Sequence, residues 1–65
     1  MYWIEVTMRD SNTQRFEKKQ LNEVFQIFGK YSRKSRKNCK ATAIKFGRDN
    51  VQTGFWSCDT GIKTV

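Results

Sequence analysis

A chain of 65 residues allows one small domain, and we expect residues 1–65 to fold as that single unit. Aromatic residues make up 14% of the chain, which argues against disorder and provides large rings for a thin core. The formal net charge of +7 favours an anionic partner, and no apolar stretch is long enough to predict a membrane span.

The N-terminal segment predicts a β-hairpin. Residues 1–9 alternate between apolar and polar side chains, as a half-buried strand does. Residues 10–13 are typical of a tight turn, so we expect residues 13–17 to return as a short second strand. The alternative is that Ser11 and Gln14 form a capping box and start a helix at once.

A helix follows, because apolar residues recur at helical spacing from residue 21 to residue 28. Ile27 and Tyr31 widen this stripe, and Gly29 marks either the helix end or a point of close packing. We expect the stripe to be buried against apolar residues of the sheet. The helix side comprises Leu21, Val24, Phe25 and Phe28, and the sheet side comprises Ile4, Val6, Ile44 and Phe46.

The segment from residue 30 to residue 40, called here the basic segment, carries six of the thirteen basic residues and no acidic one. Like charges packed this closely repel one another unless an anion is near. The simplest alternative is a solvated connection between helix and strand. We expect instead that the segment binds the phosphates of DNA or RNA through Lys30, Arg33, Lys34, Arg36, Lys37 and Lys40.

Two further strands are predicted, over residues 40–47 and 51–58, with residues 62–65 as a tail. A two-residue loop at Asp49–Asn50 and a four-residue loop over residues 48–51 predict the same register, whereas a three-residue loop would reverse the faces of the second strand. In that register, Thr53 lies opposite Phe46, Phe55 opposite Ile44, and Trp56 opposite Ala43. The resulting fold class is α+β: an antiparallel sheet of three to four strands, in ββαββ or βαββ order, with one amphipathic helix on one face.

This register predicts an open sheet face that carries Trp56 and Lys45, together with Trp3 and Arg9 from the first strand. Aromatic rings beside cations on an open sheet are typical of platforms that stack unpaired bases. The alternative is that both tryptophans belong to the core, since so short a chain has few large rings to spare.

Cysteine occurs twice and histidine is absent. Such a set cannot form the usual four-ligand zinc sites, and a cysteine nucleophile would lack its usual base, so we expect no metal, cofactor or catalysis. The N-terminal residues lack a basic leader, which predicts a cytoplasmic protein with reduced thiols. A disulfide between Cys39 and Cys58 is the alternative. We expect both cysteines to be dispensable for function.

The sequence therefore predicts a small, basic, non-enzymatic nucleic-acid-binding protein. The rival hypothesis is an adaptor or inhibitor whose basic surface docks against an acidic patch of a partner protein. A membrane-surface role is disfavoured, because Glu17 and Glu23 lie on the polar side of the helical segment, where anionic lipid would repel them.

Overall fold

Antiparallel strands with a helix on one face make up most of the molecule. The computed structural model describes residues 1–32, 34–35, 38–59 and 61–64. The strands are β1 (Tyr2–Met8), β2 (Thr13–Lys18), β3 (Lys34–Ser35), β4 (Asn38–Cys39), β5 (Ala41–Arg48), β6 (Val51–Ser57) and β7 (Gly61–Thr64). The helix, α1, spans Leu21–Tyr31.

The main sheet has five strands in the order β2-β1-β5-β6-β7, and a separate two-stranded sheet pairs β3 with β4. The predicted α+β class is confirmed, whereas the predicted count of three to four strands is too low. The predicted tail forms β7 instead, because Gly61 takes a positive φ of 78° that lets the chain turn back along β6.

The first hairpin is confirmed in preference to the early helix. Its turn is stabilised by Asp10, whose side chain accepts hydrogen bonds from the Asn12 backbone N–H at 3.1 Å and from the Asn12 side-chain amide at 2.9 Å. Ser11 takes a positive φ of 73° between them. The helix begins only after Gln20, whose backbone N–H donates to a Glu23 carboxylate oxygen at 3.3 Å.

The second hairpin closes through the predicted Asp49–Asn50 loop, but its register differs beyond the turn. A bulge next to Gly47 leaves Thr53 without an opposing residue, so Phe46 lies opposite Gly54. Gly54 accommodates the ring above it, since a Cβ there would lie 2.2 Å from Phe46 Cζ. The three predicted pairs are therefore wrong, and Trp56 lies opposite Ile44.

The core lies between α1 and the sheet. Ile4, Val6 and Ile44 are fully buried there, and Val24 and Trp56 pack with them. Phe28 packs edge-on against Phe46 and Trp56, at 5.8 and 6.1 Å between ring centroids.

The predicted helix stripe needs correction at two positions. Leu21 and Phe25 are 41% and 54% exposed, although Val24 is buried as predicted. The side chains that face the core are instead Val24, Ile27, Phe28 and Tyr31. These also follow i, i+3, i+4, i+7 spacing, three residues further along, so the helix is rotated relative to the prediction.

Cys39 and Cys58 form a disulfide, with 6.1 Å between their Cα atoms. The expectation of two reduced thiols that serve only as packing residues is corrected accordingly. Cys39 is buried in the same core cluster as Ile44 and Trp56. The bond joins the end of β4 to the residue after β6 and closes a loop with a sequence separation of 19.

Candidate nucleic-acid interface

The basic segment connects α1 to β5. It leaves the helix at Ser32, whose backbone N–H donates to the Phe28 carbonyl at 2.9 Å. Strands β3 and β4 then pair through Lys34 with Cys39 and Ser35 with Asn38. Arg33, Arg36 and Lys37 lie outside the described residues, and Lys34 is described by its backbone alone.

Two anchors position this segment relative to the sheet. The first is the last turn of α1, where Tyr31 packs against the core and approaches Phe16, with 6.3 Å between ring centroids. The second is the Cys39–Cys58 disulfide. Because both ends of the segment are attached to buried structure, its described cations, Lys30 and Lys40, are presented from a fixed base.

The described ion pairs lie away from these two lysines. Arg15 pairs with Glu5 at 3.5 Å and with Glu17 at 3.8 Å on the face opposite the helix. Asp49 accepts from the Met1 ammonium at 2.8 Å and lies 3.9 Å from Arg48.

Lys30 and Lys40 are exposed, and neither forms an ion pair within the described part of the chain. Lys30 Nζ does lie 5.5 Å from the Tyr31 ring centroid, a contact that leaves its positive charge uncompensated. These charges are therefore available to an anion from solution.

The open sheet face differs from the predicted platform. Trp3 lies on that face, opposite Gly47, with the Arg15 guanidinium 4.9 Å from its ring centroid. This cover leaves Trp3 only 8% exposed. Lys45 lies on the same face, opposite Glu5 and Phe55, and is exposed.

Trp56 does not belong to this face, which corrects the prediction. The bulge at Thr53 turns it to the helix-covered side, where it is 7% exposed. Neither tryptophan therefore presents a free ring face to a base in this conformation. The stacking platform predicted from Trp3 and Trp56 is therefore not formed. Lys45 is exposed on the open face, as predicted.

Two residues lie near the basic segment although neither is predicted there from the sequence pattern. Arg9 follows β1 and lines a shallow depression with Lys40, because β1 runs antiparallel to β5 and its end meets the start of β5. A prediction that β1 pairs with β5 would have placed Arg9 near Lys40. Phe25 is predicted to lie in the core because position 25 follows the helical spacing of the apolar stripe. That spacing alone does not distinguish a buried ring from an exposed one.

No protein-family model matches this chain, and neither a curated protein nor a solved structure does. Among the described residues, no helix is both long enough and apolar enough to cross a membrane. Functional inference therefore depends on the site itself.

Proposed function

We propose that this protein binds nucleic acid, DNA or RNA, without catalysing a reaction. Phosphate contacts come from Lys30, Lys40 and the four basic residues between them. The observation that carries the proposal is the exposure of Lys30 and Lys40, at the two ends of the basic segment, without an ion pair to any described acid. Lys45 is an additional candidate contact, while Trp3 and Trp56 are left out.

The expected mode of binding is electrostatic and largely independent of sequence. Each phosphate neutralised by Lys or Arg releases condensed counterions, which makes affinity fall steeply as salt rises. Anchoring by α1 and by the disulfide supports this mode for Lys30 and Lys40, because a backbone that is already fixed loses less conformational freedom on binding.

The adaptor hypothesis keeps one supporting observation. Leu21, Val51 and Ile62 are 41%, 64% and 59% exposed, and exposed apolar side chains suit protein contacts. Under this hypothesis the basic segment steers an acidic partner protein, and nucleic-acid affinity is weak at every salt concentration.

The test compares two variants of equal net charge. In the first, Arg33, Lys34, Arg36 and Lys37 are changed to Gln; in the matched control, Lys18, Lys19, Arg48 and Lys63 are changed to Gln. Fluorescence anisotropy with labelled single strands and duplexes, from about 50 to 200 mM salt, measures affinity and its salt slope. We expect the first variant to bind more weakly, with a duplex slope shallower by up to about 3.6, at about 0.9 for each phosphate that is no longer neutralised.

The control variant should keep most of the affinity, because its charges lie outside the segment. Equal losses in both variants would show that total charge, rather than the segment, determines binding. Failure of the wild-type chain to bind any nucleic acid at about 50 mM salt would refute the proposal, since phosphate contacts are strongest there.

The cellular compartment forms a separate part of the proposal. The cytoplasmic prediction assumed reduced thiols, whereas a bonded Cys39–Cys58 pair suits an oxidising compartment. Rapid acid quenching of cells, followed by thiol alkylation and mass spectrometry, measures the state of the pair. Two alkylated cysteines would support the cytoplasm, and an unmodified pair would support an oxidising compartment.

A further inference from the structure

A shallow recess lies beside the C-terminal half of α1, next to the basic segment. It has a volume of about 470 Å³, within the range of small-ligand sites. The described residues that line it are Phe25, Gln26, Gly29, Lys30 and Lys40. It thus combines an aromatic ring and a carboxamide with the two lysines already assigned to phosphate binding.

We propose that this recess binds one unpaired base of a single-stranded nucleic acid, which stacks on Phe25 while Lys30 and Lys40 contact the adjoining phosphates. This inference rests on the proposed function and specifies its substrate class. A base within a duplex is stacked on both faces, so only an unpaired or displaced base can use the ring.

The exposure of Phe25 is the first argument. More than half of its surface is in water, although the neighbouring Val24 and Phe28 are packed into the core. A phenyl ring in this position contributes little to the fold. Every base has a π face, so an exposed ring beside cations offers a stacking surface that tolerates any sequence.

The open space above Gly29 is the second argument. A Cβ built at this position meets no atom within 4 Å, so the absence of a side chain keeps this part of the recess clear. Glycine is a poor helix former, and the core packing described here does not require it. A larger residue at position 29 would project into the space that the base needs.

The polar groups of the recess complete the argument. The Gln26 carboxamide can both donate to and accept from the edge of a base. Lys30 and Lys40 supply positive charge at the same recess, and neither is neutralised by a described acid. Ring, amide and cations therefore match the three parts of a nucleotide: base face, base edge and phosphate.

The test uses the full chain with labelled 12-mers of thymidine and of uridine and a hairpin duplex, at the same salt concentration. Phe25→Ala should weaken single-strand binding by about 5- to 150-fold, the loss expected for one stacked base, and should change duplex binding little. Phe25→Trp should restore single-strand affinity, and its added fluorescence should be quenched on binding.

Two further variants keep the result independent of folding. Gly29→Leu replaces a poor helix former with a good one, so the fold should be retained or stabilised while single-strand affinity falls. Leu21→Ala removes another exposed apolar side chain from the same helix, outside the recess, and should leave affinity unchanged. Circular dichroism and thermal melting establish that each variant is folded.

The outcomes separate the two proposals. If the wild-type chain binds nucleic acid but Phe25→Ala and Gly29→Leu both bind single strands as tightly as it does, the recess proposal is overturned and the proposed function stands. Equal losses on single strands and duplex would also overturn it, because stacking should affect unpaired bases selectively. A wild-type chain that binds neither form would overturn both proposals.

Discussion

The helix-covered core and the basic segment are held in place by different forces. In the core, Ile4, Val6 and Ile44 are fully buried, and aromatic rings from α1, β5 and β6 pack around them. In the basic segment, the described cations lie in water, and attachment depends on a helix end and a disulfide. The core can thus tolerate changes in surface charge, whereas the segment depends on the last turn of α1 and on one disulfide.

The largest expected effect tests the core side of this comparison. Ile44→Ala removes a fully buried side chain and should lower the free energy of unfolding by about 2–5 kcal/mol, much of the stability of a domain this small. Phe25→Ala on the exposed side of the helix is the control and should cost less than about 1 kcal/mol. Urea denaturation followed by circular dichroism measures both. Similar losses for the two would mean that Phe25 supports the core.

The disulfide is the point where the two regions are coupled. Changing both Cys39 and Cys58 to Ser should lower the free energy of unfolding by about 3 kcal/mol, the value expected for a loop of this size. Denaturation of the wild-type chain with and without reductant should show the same difference, while the double variant should not respond to reductant. A wild-type chain that is equally stable in both conditions would show that the bond adds nothing.

The smallest expected effect on stability concerns Asp49, at the end of the sheet where β5 turns into β6. The hydrogen bond and the charge of the Met1 ammonium, with a smaller contribution from Arg48, hold the pKa of the Asp49 carboxyl below its ordinary value of 3.8. Since the folded-state pKa is the lower one, this contribution to stability is present above pH 3.8 and is lost as pH falls through the folded-state value.

Asp49→Asn should therefore be slightly less stable than the wild-type chain near neutral pH, and the difference should shrink below pH 3.8. Melting temperatures of both chains from pH 7 to pH 2 measure it. The effect should be small because the group is exposed and screened by solvent. A difference that grew as pH fell would contradict the assigned ion pair.

Local patterns predicted the elements better than their faces. The first hairpin, the helix and the Asp49–Asn50 loop could all be predicted, because turn residues and periodicity are local signals. The inward face of the helix could not, since the stripes that begin at Leu21 and at Val24 have equal spacing. Only contact with the sheet selects the second one.

In the candidate site, too, some features can be predicted from local sequence and others depend on tertiary contacts. The charge of the basic segment can be read directly from the sequence, whereas the recess requires the helix rotation and the approach of Lys40 to α1. The tryptophan platform failed because a single bulge reversed the faces of the following strand. The state of Cys39 and Cys58 depended on a distance between β4 and β6 that no spacing rule contains.

The bulge at Thr53 has a consequence for how such a chain can change over time. Every residue of β6 except Thr53 lies opposite a residue of β5, so Thr53 is a spare residue within the strand pair. Removing Thr53 alone would make Gln52 and Gly54 consecutive, opposite Gly47 and Phe46, which are already their partners, so Trp56 would stay on the helix-covered face. A one-residue deletion here is thus a single genetic step that could straighten β6 without moving the core tryptophan.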